Sequence, residues 1–155
     1  MRKYLFILLS VVAALGLWSC TNNNVPECRY HTQTLDLTVV QEDWQFDEDA
    51  QQFYYRFGDL KEITSAVYNY GNWTICREFN NGTKNAYQVA LPMSTFMVDS
   101  LDNGGVAYYT QYIDYRLGIG YVDVQLTNSD YYYTYDAQGN RVNPEDMLFR
   151  LQLIY

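Results

Sequence analysis

Five carboxylates, Glu42, Asp43, Asp47, Glu48 and Asp49, crowd around Trp44 and Phe46. Two acids opposed across a cleft hydrolyse glycosidic bonds, one protonating the leaving oxygen while the other attacks or activates water. Their spacing within one short stretch fixes no such pair, and it lacks the glycine and final glutamate of an EF-hand loop. A solvated charge run is the expectation. His31 is the single histidine, and a histidine-activated nucleophile would need it rigidly held. It lies where a polar leader meets the patterned chain, so a solvated or locally bonded ring is expected. The three cysteines, Cys20, Cys28 and Cys76, contain no Cys-x-x-Cys pair, and with one histidine they make no zinc set. No catalytic residue, metal site or cofactor is expected.

The tyrosines offer a different chemistry, that of contact. There are 17, more than of any other residue. If Asp130–Tyr135 is a strand, Tyr131, Tyr133 and Tyr135 share one face and Tyr132 points away. Joined by Tyr121, or by Tyr108 and Tyr112, such a row makes a platform of flat rings with polar tips. That surface suits sugar rings and protein partners. Plain cross-strand packing of tyrosines is the competing reading. The run Tyr135-Asp136-Ala137-Gln138-Gly139-Asn140-Arg141 resembles one YD repeat, but a single copy has no neighbour to pack on. A hairpin turn, with Asp136 bonded to local backbone, is expected instead.

The elements that would carry these residues have a period of two. Leu35, Leu37 and Val39 alternate with polar residues over Thr34–Val40, as do Phe53, Tyr55 and Phe57 over Gln52–Gly58. Further strands are expected over Ile63–Tyr70, Trp73–Phe79, Asn85–Met93, Val106–Arg116, Tyr121–Leu126, Asp130–Tyr135 and Met147–Tyr155. Asn80-Asn81-Gly82-Thr83 marks a hairpin. A looser stretch follows Pro92. In the last strand Phe149, Leu151 and Leu153 point inward, and Arg150 and Gln152 outward. That strand is also expected to leave an edge open to pairing. No long segment has helical spacing. Together these predict an all-β fold, an antiparallel β-sandwich of about eight or nine strands, with a lipocalin-like barrel as the alternative.

The first 20 residues read as an address. Arg2 and Lys3 precede an apolar run from Tyr4 to Trp18, about 15 residues and so short of the ~20 that span a bilayer. Leu17-Trp18-Ser19-Cys20 resembles the lipobox of a bacterial lipoprotein signal, which places residues 1–19 as signal peptide and Cys20 as the acylated residue. Residues 20–33 form a polar tether, and 34–155 a single domain. Removing residues 1–19 takes two of the ten basic residues, leaving eight against 18 acidic ones, a net −10. Such a body repels phosphate backbones, so nucleic acid is not an expected partner. Cys28 and Cys76 remain as a candidate disulfide for an oxidising compartment. Such a bridge contributes ~4 kcal/mol on the chain-entropy argument, and two separate thiols are the alternative.

Placed on these strands, the chain resembles the small β-sandwich lipoproteins of gut-type Gram-negative bacteria. The likeness lies in Glu42-Asp43-Trp44 after the first strand, Phe53–Ile63, Val67-Tyr68 ahead of Trp73, Leu91-Pro92, and Phe149-Arg150-Leu151. It implies a lipid-anchored envelope protein, at the outer membrane, and brings no catalytic residues. The expected function is a non-catalytic binding or accessory module for a glycan or protein partner. The alternatives are a barrel carrying a small apolar ligand and a carboxylate-dependent enzyme acting on glycans.

Overall fold

The computed structural model describes residues 30–101 and 104–155. The segment read as a signal peptide, Cys20 and Cys28 lie outside the described residues, and with them the expected bridge to Cys76. Cys76 itself is half-buried in a strand, without a disulfide to another described residue.

Among the described residues nine strands form two antiparallel sheets. They are β1 Thr32–Val39, β2 Gln45–Asp47, β3 Gln52–Phe57, β4 Asn72–Phe79, β5 Tyr87–Ala90, β6 Met93–Ser100, β7 Val106–Gly118, β8 Tyr121–Asn128 and β9 Met147–Ile154. One sheet runs β1-β9-β4-β5 and the other β2-β3-β8-β7-β6. The fold is therefore an all-β sandwich. Neither sheet closes on itself, so the fold is the sandwich and not the lipocalin-like barrel.

Alternation fills the space between the sheets. Leu37 and Val39 of β1, Ile75 of β4, and Met147, Phe149, Leu151 and Leu153 of β9 face Phe53, Phe57, Ile113, Val122, Val124 and Leu126 of the other sheet. Phe57 and Phe149 meet across the gap with ring centroids 6.4 Å apart. Each such side chain contributes about 1.5–3 kcal/mol by leaving water. β9 is not an open edge, because it pairs with β1 on one side and β4 on the other. His31 extends that ladder, exchanging backbone hydrogen bonds with Tyr155 at 2.7 and 2.9 Å.

Two predicted strands are something else. Ser65–Tyr70 is a short helix, α1, capped by Thr64, whose Oγ1 accepts from Val67 N at 3.2 Å. Ile63 and Val67 are both buried, and a spacing of four satisfies either period, so the cap decides. Asp130–Tyr135 is no strand either. Asp130 and Tyr131 take positive φ, 56° and 52°, inside a 3₁₀ turn over Ser129–Tyr131. The segment leaves the sheet there.

The Asn80-Asn81-Gly82-Thr83 hairpin joins β4 to β5 as expected, but through a wider loop, since Phe79 pairs with Tyr87. Leu91-Pro92, a cis peptide, then carries the chain into β6 of the opposite sheet.

Candidate functional site

β6 and β7 pair over eight positions, from Met93 opposite Ile113 to Ser100 opposite Val106. The pleat sorts their side chains into two rows. Met93, Thr95, Met97 and Asp99 of β6 are half-buried, whereas Ser94, Phe96, Val98 and Ser100 are exposed. On β7 the exposed row includes Val106, Tyr108 and Tyr112. Each row of β6 holds two apolar and two polar residues, so Phe96 and Val98 are left facing water at this edge. Phe96 and Tyr108 stack at 5.8 Å with planes 20° apart, although 66% and 65% of their surfaces are exposed. Val98 stands directly opposite Tyr108, and Ser94 opposite Tyr112. The outcome is a flat, uncharged, ring-bearing strip on the outermost two strands.

The rest of that sheet's outer face is polar. Arg56 makes a bidentate pair with Asp123, at 2.6 and 2.7 Å, and its guanidinium lies 4.4 Å from the centre of the Tyr121 ring. The carboxylate raises the Arg56 pKa further. The opposite sheet is ionic outside, where Arg150 bridges Asp36 at 2.8 Å and Glu78 at 2.9 Å. A hydrogen bond from Arg150 holds the Asp36 carboxyl below the usual range. Against these surfaces the β6–β7 strip stands out as apolar.

The predicted platform does not assemble as expected. Tyr133 is only 8% exposed and sits edge-on to Phe46 and Phe53, at 5.1 and 5.6 Å. Its hydroxyl donates to Gln51 O. Tyr131 and Tyr135 are exposed, but the left-handed turn at Asp130 and Tyr131 breaks the period that would have aligned them with Tyr133. Tyr121 is half-buried beneath Arg56, against Gly118, where an added Cβ would lie 2.3 Å from the ring. Tyr132 ties the loop to β6, its hydroxyl donating to Asp99 Oδ2 at 3.1 Å and its ring lying 4.9 Å from that of Tyr109. Burial, then the bond to Asp99, raises the Tyr132 phenol pKa. Of the tyrosines weighed from the sequence, Tyr108 and Tyr112 stand on the exposed strip.

No family model matches the chain, and neither a curated protein nor a solved structure does.

The acidic stretch has structural work. Asp47 Oδ1 accepts from the backbone of Asp49 and Ala50 at 3.0 Å each. Glu48 pairs with Arg141 at 3.0 Å, which lowers its carboxyl pKa. Arg141 also lies over the Phe46 ring, 3.4 Å from its centroid. Among the described residues no cluster of three His, Cys, Asp or Glu side chains forms a metal site. Asp136 behaves as the turn reading expects, accepting from Gln138 and Asn140 backbone at 2.9 and 2.8 Å. A cleft of about 210 Å³ opens at the same end of the sandwich, between Met97, Tyr109, Asn128, Tyr133 and Glu145.

The sequence reading missed Phe96, Val98 and Val106. The signal for Phe96 and Val98 was present as alternation over Met93–Ser100. Each row there mixes polar and apolar residues, so neither announced a dry face.

Proposed function

We propose that this chain is a non-catalytic, envelope-anchored lipoprotein, a binding or accessory module that meets a glycan or protein partner through the outer strip of β6 and β7. The observation that carries the reading is the Phe96–Tyr108 stack, two rings held parallel in solvent. Exposed side chains of this size cost solvation, and contiguous apolar strips on one side of a domain mark contact surfaces. Rings of this kind accept the apolar face of a pyranose, and they also serve as anchors in protein interfaces. The anchor rests on the Leu17–Cys20 motif and its basic, apolar approach. Acyl chains at Cys20 add ~0.8 kcal/mol per buried CH₂, enough in combination to hold an acidic body at a bilayer.

The test has two arms. Metabolic labelling with a radioactive fatty acid should mark the native chain and not Cys20→Ala. Glycan arrays and envelope pull-downs should lose their signal with Phe96→Ala/Tyr108→Ala while the melting curve stays native. Binding that is indifferent to the double variant removes the strip from the account.

A further inference from the structure

We propose that β6 pairs edge to edge with β6 of a second copy of this chain, antiparallel and centred on Met97. This goes beyond the binding strip, which lies on the sheet face and stays open in such a pair.

Among the described residues the sandwich has four edge strands, and they are unequal. β2 has three residues and β5 has four. β1 has eight residues, as many as β6, but its outer face is ionic, with Asp36 engaged by Arg150. β6 has eight residues, Met-Ser-Thr-Phe-Met-Val-Asp-Ser, with no lysine, proline or bulge along its pairing with β7. These are the features by which edge strands ordinarily refuse a partner. One protective feature remains, the inward-facing Asp99, and it already accepts the Tyr132 hydroxyl.

A two-fold axis perpendicular to the sheet at Met97 keeps outward residues on one side and sets a definite register. Phe96 then stands opposite the second copy's Val98, and Ser94 opposite Ser100, so apolar meets apolar and small polar meets small polar. On the inner row Met97 meets itself. Thr95 meets Asp99, a hydroxyl donor facing a carboxylate. Each copy supplies both members of every pair, as a two-fold contact requires. A body whose net charge is −10 without residues 1–19 associates with itself best along a seam poor in charge, and β6 carries a single charged residue, Asp99. The two strips would join into one aromatic surface across a ten-stranded sheet, giving a repetitive ligand two points of attachment.

The experiment uses the full chain, purified from membranes in a non-ionic detergent and followed by sedimentation. The detergent-corrected mass should be twice that of one processed, acylated chain. Thr95→Asp sets carboxylates against each other twice and should weaken association by about tenfold or more. Thr95→Lys sets ammonium against Asp99 and should preserve it. Amide exchange on the native chain supplies a reading independent of the variants' folding: Met93–Ser100 should gain protection as protein concentration rises, and Tyr87–Ala90 should not. A native chain that stays at single mass up to about 100 μM, or equal effects of Thr95→Asp and Thr95→Lys, overturns the proposal. Concentration-independent exchange in β6 does so as well. Loss of glycan or pull-down binding leaves this result untouched, so the two readings fail separately.

Discussion

Phe96 and Tyr108 are diagonal neighbours across β6 and β7, the first opposite Thr110 and the second opposite Val98, yet their rings stack at 5.8 Å. The stack is held by strand register alone, outside the core. Replacing either ring with alanine should therefore cost less than about 1 kcal/mol of stability. If the strip is an anchor, the same change should cost about 2 kcal/mol or more in binding. Chemical denaturation and a binding isotherm on each variant measure the two quantities, and a large stability loss with unchanged binding reverses the assignment.

Tyr133 occupies the opposite situation. It closes one end of the core against Phe46 and Phe53, with its hydroxyl spent on Gln51 O. Tyr133→Phe keeps the ring and should cost about 1 kcal/mol, whereas Tyr133→Ala leaves a cavity and should cost about 3–5 kcal/mol. Urea midpoints at constant slope are the measurement.

Arg77 and Glu145 form a lopsided pair at 2.6 Å, the arginine side chain almost wholly buried on β4 and the glutamate largely in water. The guanidinium also packs 4.5 Å from the Phe79 ring centre. Removing the exposed partner leaves a buried charge uncompensated, while replacing the buried one does not. Glu145→Ala should therefore destabilise more than Arg77→Met, by about 1–3 kcal/mol. Equal losses in thermal melts of the two variants contradict this.

Burial is the chief cause of raised phenol pKa values at Tyr109, Tyr132 and Tyr133. The unfolded chain releases these protons near pH 10, before the folded one does. Their contribution is therefore complete below about pH 10 and declines as pH rises toward the folded values. Tyrosinate absorbance should show a late-titrating group of phenols, and the midpoint of thermal unfolding should fall from about pH 10 upward. Tyr132→Phe should shrink the late group, because it deletes the phenol bonded to Asp99.

The core was legible because its strands alternate cleanly. In β3, in β8 as far as Leu126, and in β9 every second residue is large and apolar, so the buried row follows directly from the order of residues. Elsewhere one pattern served two structures. Ile63 and Val67 fit strand and helix alike, and only the Thr64 cap separates them. In the tyrosine run after Asn128 the residues Tyr131, Tyr133 and Tyr135 have strand spacing, but two consecutive left-handed residues cancel it, and neither Asp130 nor Tyr131 advertises that geometry as glycine would. β6 eluded the reading for a third reason. Its two rows hold equal numbers of apolar and polar residues, so alternation alone does not say which one is buried.

The position of β9 has one more consequence. With β1 on one flank and β4 on the other, this strand works as a keystone, and Thr32 waits for Ile154 across nearly the whole domain. A nascent polypeptide lacking β9 has two orphaned ladders and half a core, so it has little to gain from early collapse. Such a chain stays pliable until synthesis has passed Met147.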